Sequence, residues 1–366
     1  MADSAGPEPG AVVAVGNGAR RGADKPKFVT GSIRRHILVM TAAGAAGLMA
    51  IFAGDLANMW FLSLLGDEAV VAAVGYASSI LFFTISIGIG LSIAATALVS
   101  PALGAGHRVR ARRLSVNVHL ASFAASLVLG LGVWVVAPWI LAKLGASGRT
   151  LMLATAYLNI LLPTLPLLAV AMTSAAVLRS VGDARRGMNV TLIIAIVNTL
   201  LDPVLIFGLG LGIEGAAIAS AVARLAAFGV GLHGVVVVHR LMGRPKLRPF
   251  LGDVSAMLAI AVPAVLTNIA TPVANAYVTA AIAPSGDAAV AAWAIIGRVT
   301  AVAFGGIYAL SGSVGPIIGQ NFGARDFARV RETLTEALFV TAAFTAVAWA
   351  LLWVAAGLTV ITGADY

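Results

Sequence analysis

Long apolar stretches alternate with short polar segments along this chain. A helix that crosses a bilayer needs about 20 mostly apolar residues, and nine stretches meet that length. They run over about 36–62, 69–98, 116–142, 150–177, 188–209, 213–238, 255–282, 288–318 and 333–361. This pattern predicts an all-α integral membrane protein with nine transmembrane helices.

The composition narrows the class of protein. Hydrophobic residues make up 60% of the chain and charged residues 11%, and the mean hydropathy is +0.98. A soluble domain carries roughly a quarter charged residues, so soluble enzymes and nucleic-acid-binding modules are excluded. Cysteine is absent, and the five histidines show no zinc-binding spacing, which excludes disulfides and thiolate metal sites.

The positive charges lie in alternate connectors. Twenty of the 24 lysines and arginines fall in residues 1–35, 108–113, 179–186, 240–248 and 325–331. The intervening connectors hold only Lys143 and Arg149. Because basic loops stay in the cytoplasm, the amino terminus is predicted to be cytoplasmic, and the net charge of +9 indicates topology rather than nucleic-acid binding. Residues 1–33, which have no apolar run long enough for a signal peptide, are predicted to be a disordered cytoplasmic arm.

An internal repeat divides the chain. Gly66-Asp67 recurs as Gly286-Asp287, a shift of 220, and Gly104-Ala105 recurs as Gly323-Ala324, a shift of 219. Six predicted spans separate equivalent positions, so the two units insert in the same direction about an axis along the membrane normal. The expected organisation is a six-helix lobe at 34–240, a cytoplasmic linker at 241–254 and an incomplete lobe of three helices at 255–366.

Four polar residues lie at one depth in the predicted spans. Asp55, Tyr157, Asp202 and Ser220 are each about seven residues from the outer end of their span. At 1.5 Å per residue this is about 10 Å below the outer boundary. Because ionisable groups in a membrane are costly and usually functional, the four are expected to line one cavity.

Asn198 and Asp202 share a helix face, and Pro203 follows directly. Proline lacks an N–H, so the helix is expected to open here and free a carbonyl oxygen. Such oxygens suit Na⁺, and a pair of carboxylates suits a proton equally well. Two alternatives stay open: Pro203 is only a structural kink, or Arg224, one turn from Ser220, pairs permanently with an acid and blocks a cation.

The second unit lacks the acid of the first. Asn275 stands where the repeat places Asp55, so the ion chemistry is expected in the first unit. Pro263 and Pro272 make the seventh predicted span irregular, as in the binding or gating helices of transporters. The candidate gating or substrate-cavity residues are Pro203, Arg224, Asn268, Asn275 and Arg298.

Motifs typical of enzymes are not supported by their context. Gly210-x-Gly212-x-x-Gly215 matches a dinucleotide fingerprint, but it lies in a turn between two spans without a strand before it. There is no Walker lysine motif, and no Gly-x-Gly-Asp motif precedes Asp202. No nucleophile–base pair or metal set is apparent, so neither an enzyme nor a cofactor is predicted.

Several segments together resemble the MATE (multidrug and toxic compound extrusion) family. They are Asp55 with Leu65-Gly66-Asp67-Glu68-Ala69, residues 99–105 (VSPALGA), residues 198–208 (NTLLDPVLIFG), residues 215–220 (GAAIAS) and residues 319–324 (GQNFGA). The resemblance covers about 36–362 and lies in the order and spacing of these segments.

The resemblance implies a monomeric secondary antiporter of a prokaryotic plasma membrane, in which H⁺ or Na⁺ entry drives export of amphipathic, often cationic, compounds by alternating access. The cation site of the amino-terminal lobe then maps onto Asp55, Asn198 and Asp202, with Tyr157 nearby and Ser220 replacing a threonine. Three departures are visible: no proline in 36–62, the presence of Arg224, and the lack of a last set of three spans.

Three alternative functions make different demands on the sequence. A lipid-linked oligosaccharide flippase of the same superfamily would use a cationic cavity, to which Arg224 and Arg298 could contribute. An inactive transporter fragment or interaction protein would fit the short second lobe. A membrane enzyme would need a catalytic set that the sequence does not show.

Overall fold

The computed structural model describes residues 26–282 and 303–364, with a few isolated positions between them, and these residues are almost entirely helical. The helices are α1 (Ile33–Ser63), α2 (Glu68–Gly104), α3 (Arg108–Lys143), α4 (Gly148–Leu161), α5 (Leu165–Val181), α6 (Ala184–Pro203), α7 (Gly212–His233), α8 (Leu247–Ile282), α9 (Gly305–Gly323) and α10 (Phe327–Ala364). Short π-helical turns, Val204–Gly208 and Gly234–Val238, extend α6 and α7.

Eight helical segments of the described chain are long and apolar enough to cross a membrane. They confirm a multi-pass all-helical protein. Most of the first half of the predicted span 288–318 lies outside the described residues, and α9 covers its second half. The count of nine transmembrane helices and the short second lobe therefore stay predictions. The predicted span 150–177 is two helices, α4 and α5, joined by a 3-10 turn over Leu162–Thr164, because Pro163 and Pro166 lack the N–H groups of a continuous helix.

Side-chain caps fix where several helices begin. Ser32, Asp67 and Asp183 accept hydrogen bonds from the backbone N–H groups of Arg35, Ala69 and Arg186, at the starts of α1, α2 and α6. Each bond satisfies a donor that the first turn leaves free. Helix α5 ends at Gly182 with φ of 91°, a left-handed conformation that glycine adopts without strain, and its two closing hydrogen bonds allow α6 to start at once.

Helices α1 and α6 approach closely through small residues. A Cβ on Gly54 would lie 3.4 Å from Ala195, and a side chain on Gly47 would collide with Thr191. Helix α7 approaches the π-helical turn after α6 in the same way, because a Cβ on Gly215 would lie 2.7 Å from the carbonyl oxygen of Leu205. The glycines of the fingerprint-like segment thus serve a tight turn and a helix contact.

The repeated motifs touch each other where α2 crosses α9. A side chain on Gly104 would collide with the backbone of Gln320, and one on Gly323 would collide with the backbone of Pro101. A shift of 219 converts Pro101 into Gln320 and Gly104 into Gly323, so the two contacts are the same contact seen from each unit. Such reciprocity is what a two-fold axis produces, and the axis lies near the packing of Ser100 on Gly319.

The basic connectors meet at one end of the bundle, here called the basic end. It contains the amino-terminal segment and the α2–α3, α5–α6, α7–α8 and α9–α10 connectors. Arg108 and Arg112 at the start of α3 donate to the carbonyls of His239 and Met242, at 2.8 and 3.0 Å, after α7. At the opposite end, Arg149 forms an ion pair of 2.7 Å with Asp67.

The amino-terminal segment departs from the prediction of a disordered arm. Residues 1–25 lie outside the described residues, but Lys27–Val29 forms a 3-10 turn and α1 follows from Ile33. The reason is tertiary: Phe28 is 1% exposed, in a cluster with residues of α1, α6, α9 and α10. An apolar residue in a polar stretch gives no sign of such a contact in the sequence.

Candidate cation-binding site

The crossing of α1 and α6 brings polar side chains together. Gly54 and Ala195 let the two helices approach, and one turn beyond this contact Asn58 of α1 faces Asp202 of α6. The Asn58 Nδ2 donates a hydrogen bond of 2.9 Å to Oδ2 of Asp202. Asp202 is 0% exposed and Asn58 8%. A buried carboxylate is therefore held from the neighbouring helix by a neutral amide.

Two oxygen atoms on the same face of α6 lack partners. Oδ1 of Asp202 and Oδ1 of Asn198 are buried and have no hydrogen-bond partner among the described residues. Buried polar atoms are almost always paired with protein, water or an ion, so a pair of oxygens one helical turn apart calls for a ligand. The described residues contain no cluster of three histidine or acidic side chains suited to a metal ion.

Asp55, Tyr157 and Ser220 lie around this pair. Asp55 is exposed, three residues before Asn58 on α1. Tyr157 is buried on α4; its hydroxyl lies near Ser220 of α7 and within electrostatic reach of both Asp55 and Asp202. Together with Asp202, these residues are six to nine positions from the end of their helical segment that lies away from the basic end. This is roughly 9–14 Å at 1.5 Å per residue. By residue count the four lie at similar distances from that end, and their sharing of one cavity stays a prediction.

Pro203 does not open the helix as expected. Helix α6 runs through Pro203 and then widens into the π-helical turn Val204–Gly208. In this turn the N–H of Leu209 donates to the carbonyl of Val204, five residues earlier, at 2.9 Å. The change of pitch accommodates the missing N–H without breaking the helix, so the proline shifts the register of α6 directly beyond Asp202.

Arg224 is bonded to the break between α4 and α5 and lies within electrostatic reach of Tyr157. Its Nη1 donates to the carbonyl oxygen of Leu161 and to Oγ1 of Thr164, both at 2.8 Å, at the break between α4 and α5. In that 3-10 turn the N–H of Leu165 bonds to Leu162, and the Leu161 carbonyl accepts from both the Thr164 hydroxyl, at 2.8 Å, and the guanidinium. Arg224 forms no ion pair with Asp55 or Asp202 among the ion pairs of the described residues, so the alternative of a blocking salt bridge is not what this structure shows.

The second-unit candidates are Asn268, Asn275 and Arg298. Asn268 donates a hydrogen bond of 2.8 Å to the carbonyl of Ala264 on its own helix. Asn275 is exposed on the same helix, α8. Arg298 lies outside the described residues. Their assignment to a gate or substrate cavity stays a prediction.

Asn58 was not among the predicted site residues. The residue is three positions after Asp55, a spacing that puts both on one face of a helix, and it lies in the same predicted span. A search for neutral polar residues on the faces of the intramembrane acids would have found it. Its partner Asp202 could not have been named, because the pairing depends on how α1 packs against α6.

Comparison with known proteins identifies the family. The MatE family model matches residues 45–204 and 263–361, which include the second half of α1, all of α6 and both reciprocal motifs. The chain belongs to the MATE family. It is therefore a multi-pass membrane transporter and not an enzyme, as the sequence predicted.

Relatives of this MATE chain include transporters of different substrates. The chain is 32% identical over 322 residues to an FAD transporter of Shewanella oneidensis, covering 86% of this chain and 71% of the relative. It is 26% identical over 281 residues to the multidrug export protein MepA of Staphylococcus aureus, covering 75% of this chain and 61% of MepA. The structure of the Vibrio cholerae MATE transporter VcmN superposes with a TM-score of 0.79 at 27% identity, covering 85% of this chain and 71% of VcmN.

Proposed function

We propose that this MATE chain is a secondary exporter in a prokaryotic plasma membrane, driven by H⁺ or Na⁺ that binds at Asp202 and Asn198. The main support is the pair of buried, unpartnered Oδ1 atoms on α6. The basic end would face the cytoplasm, because basic connectors stay on that side. The cation would enter from the opposite end, to which the site is closer.

The two oxygens of Asp202 would have different tasks. Oδ2 is occupied by Asn58, whereas Oδ1 is left for the ligand. An isolated carboxylate is costly to bury, so Asp202 is stable only if a proton neutralises it or Na⁺ joins it to Asn198. Asp55, which is exposed, would pass the cation from the cavity to the buried acid, with Tyr157 and Ser220 orienting it.

The Asn58 bond gives the cation a way to act on helix packing. Asn58 belongs to α1 and Asp202 to α6, and the two helices are packed closely at Gly54. A cation that draws electron density from the carboxylate weakens the bond to Asn58, since hydrogen bonds to a charged acceptor are the stronger ones. Loading would thus loosen α1 from α6 and bias the transporter towards its other conformation.

The substrates would be small organic molecules. MepA is a multidrug export protein, which favours amphipathic and often cationic compounds. A second candidate class of substrate is the flavin dinucleotides. The similarity to the FAD transporter favours it, because this chain covers 71% of that relative and 61% of MepA.

Efflux from cells tests the proposal. We expect Asp202→Asn to reduce efflux of a fluorescent cation, or release of flavin, to the background of empty-vector cells. Asp67→Asn is the matched control, because Asp67 caps α2 and pairs with Arg149 near the same end but outside the α1–α6 crossing. Equal efflux by Asp202→Asn and wild type, at equal amounts of membrane protein, would reject the cation site.

The coupling ion is identified in proteoliposomes. Substrate movement is measured with an imposed pH gradient, with an imposed Na⁺ gradient and with neither. We expect one gradient to drive transport by wild type and neither to drive it by Asp202→Asn. Transport that ignores both gradients would reject secondary coupling, even if the substrate is correctly identified.

A further inference from the structure

The amino-terminal segment, residues 26–31, joins the two units of the repeat at the basic end. On the side of the first unit, Nζ of Lys27 donates a hydrogen bond of 2.7 Å to the carbonyl of Gly182, where α5 ends. On the side of the second unit, the N–H of Phe28 donates to Oε1 of Gln320 on α9 at 2.9 Å. Two consecutive residues thus hold opposite sides of the bundle.

The second unit forms three more hydrogen bonds with the same segment. Nη2 of Arg329 donates to the carbonyls of Phe28 and Gly31, both at 3.0 Å. Nδ2 of Asn321 also donates to the Phe28 carbonyl, at 3.2 Å. These three bonds from Arg329 and Asn321 end on backbone carbonyls of the segment. They therefore fix its path whatever its side chains are.

Gln320 connects the units directly as well. While its Oε1 accepts from Phe28, its Nε2 donates a hydrogen bond of 2.6 Å to the carbonyl of Ser180 on α5. Gln320 is 1% exposed and Ser180 0%. The amide is therefore a buried junction between α5, α9 and the segment, at the place where the repeated motifs cross.

The ring of Phe28 seals this junction. It is 1% exposed and belongs to a cluster with Ile37 of α1, Ala184 of α6, Ile317 of α9 and Ala337 of α10. The cluster draws from both units, and burial of a phenylalanine ring contributes roughly 1.5–3 kcal/mol. Any motion that separates α6 from α9 at this cluster exposes the ring.

We propose that residues 26–31 form a strap that holds the basic end closed and must detach before this end can open. The strap would act as a latch on the conformational change, not as part of the cation or substrate site, which lies towards the opposite end. The inference rests on the proposed alternating access. Its test below needs neither a cation gradient nor a substrate.

The test uses the absence of native cysteine. A single Ser180→Cys variant places a thiol beneath the strap, at a residue that is 0% exposed, and the rate of its labelling by a hydrophilic maleimide reports opening of the basic end. In this background we compare Phe28→Ala and Lys27→Met with Thr30→Ala. Thr30 is the matched control, because its side chain is exposed and, among the described residues, its carbonyl bonds to His36 rather than to either unit's side of the strap.

We expect Lys27→Met to label faster by about fivefold, the factor that loss of one hydrogen bond produces in an opening equilibrium, and Phe28→Ala by about tenfold or more, because the ring contributes more than one hydrogen bond. Thr30→Ala should label at the rate of the parent. Lys27→Met keeps the proposal testable if Phe28→Ala fails to fold, because it removes only an exposed ammonium group. Equal labelling of Lys27→Met and Thr30→Ala would overturn the strap. Faster labelling without cation-dependent efflux would instead leave the strap standing and reject the proposed function.

Discussion

The basic end and the α1–α6 crossing of this transporter differ in what their buried polar groups contact. At the basic end, Gln320 bonds to the amino-terminal strap and to α5, and Arg329 bonds to the strap and to Asn321, while Ser100 Oγ and Arg179 Nε have no partner among the described residues. At the α1–α6 crossing, Asp202 and Asn198 each leave a buried oxygen without a partner among the described residues. Satisfied networks stabilise one arrangement of helices, whereas unsatisfied atoms await a ligand. The proposed latch and the proposed cation site therefore lie in different layers of the same helices.

The largest effect is expected where the repeated motifs touch. Gly104→Ala puts a methyl group into the backbone of Gln320, and Gly323→Ala does the same at Pro101. Overpacking against backbone, which cannot move aside as a flexible side chain can, costs about 3 kcal/mol or more, so both variants should label fast at Ser180→Cys and lose efflux. Gly132→Ala on α3 is the control, since nothing lies within 4 Å of its added Cβ. Different phenotypes for Gly104→Ala and Gly323→Ala would break the reciprocity between the two units at the basic end.

A smaller effect is expected at the α1–α6 crossing. Asn58→Ala removes the donor to Asp202 and leaves Oδ2 unpaired, a loss of about 1–3 kcal/mol. We expect the dependence of efflux on pH or Na⁺ to shift by about tenfold in concentration, which corresponds to about 1.4 kcal/mol, while Ser180→Cys labelling is unchanged. Asn159→Ala, an exposed asparagine on α4, is the control. An unchanged cation dependence would show that Asn58 is only a packing residue.

A third effect is expected at Arg224, which lies neither at the basic end nor at the α1–α6 crossing. Arg224→Met removes the charged donor at the α4–α5 break and leaves the Leu161 carbonyl and the Thr164 hydroxyl only their 2.8 Å bond to each other, so we expect a thermal stability lower by about 1–2 kcal/mol. Arg224→Lys, which keeps a donor, should recover part of the loss. Thermal unfolding in detergent measures both. Full stability of Arg224→Met would mean that the break holds itself without the guanidinium.

The smallest effect is expected at Asp183, between α5 and α6. Burial works to raise the pKa of Asp183, but hydrogen bonds from Arg186 and His239 outweigh it and hold the pKa below its ordinary value. A lowered pKa stabilises the fold above the ordinary value of about 3.9, and this stability is lost as the pH falls through the folded-state pKa. Asp183→Asn keeps the helix cap but removes the charge, so unfolding at pH 7 should become easier by under about 1 kcal/mol. The difference from wild type should shrink below about pH 4; a constant difference would show that the charge is not its source.

Much of the architecture could be predicted from the order of residues. Helices that cross a membrane must be apolar over a fixed length, so the spans are visible without any knowledge of helix contacts. The spacing of Asn198 and Asp202 follows from helix geometry alone, and so does the common depth of Asp55, Tyr157 and Ser220. The motifs around Gly104 and Gly323 mark equivalent positions in two units, because their spacing repeats along the chain.

Only the tertiary structure decided which groups meet. In the structure Asn58 bonds to Asp202, Arg224 bonds to the α4–α5 break and Phe28 lies at a junction of both units. None of these contacts is visible in the sequence, because each joins residues far apart in the chain. It also turned the expected opening at Pro203 into a π-helical turn. The physical reason is that a side chain's own helix fixes its depth and its face, whereas its partner is set by the crossing of helices packed through Gly54, Gly104 and Gly323.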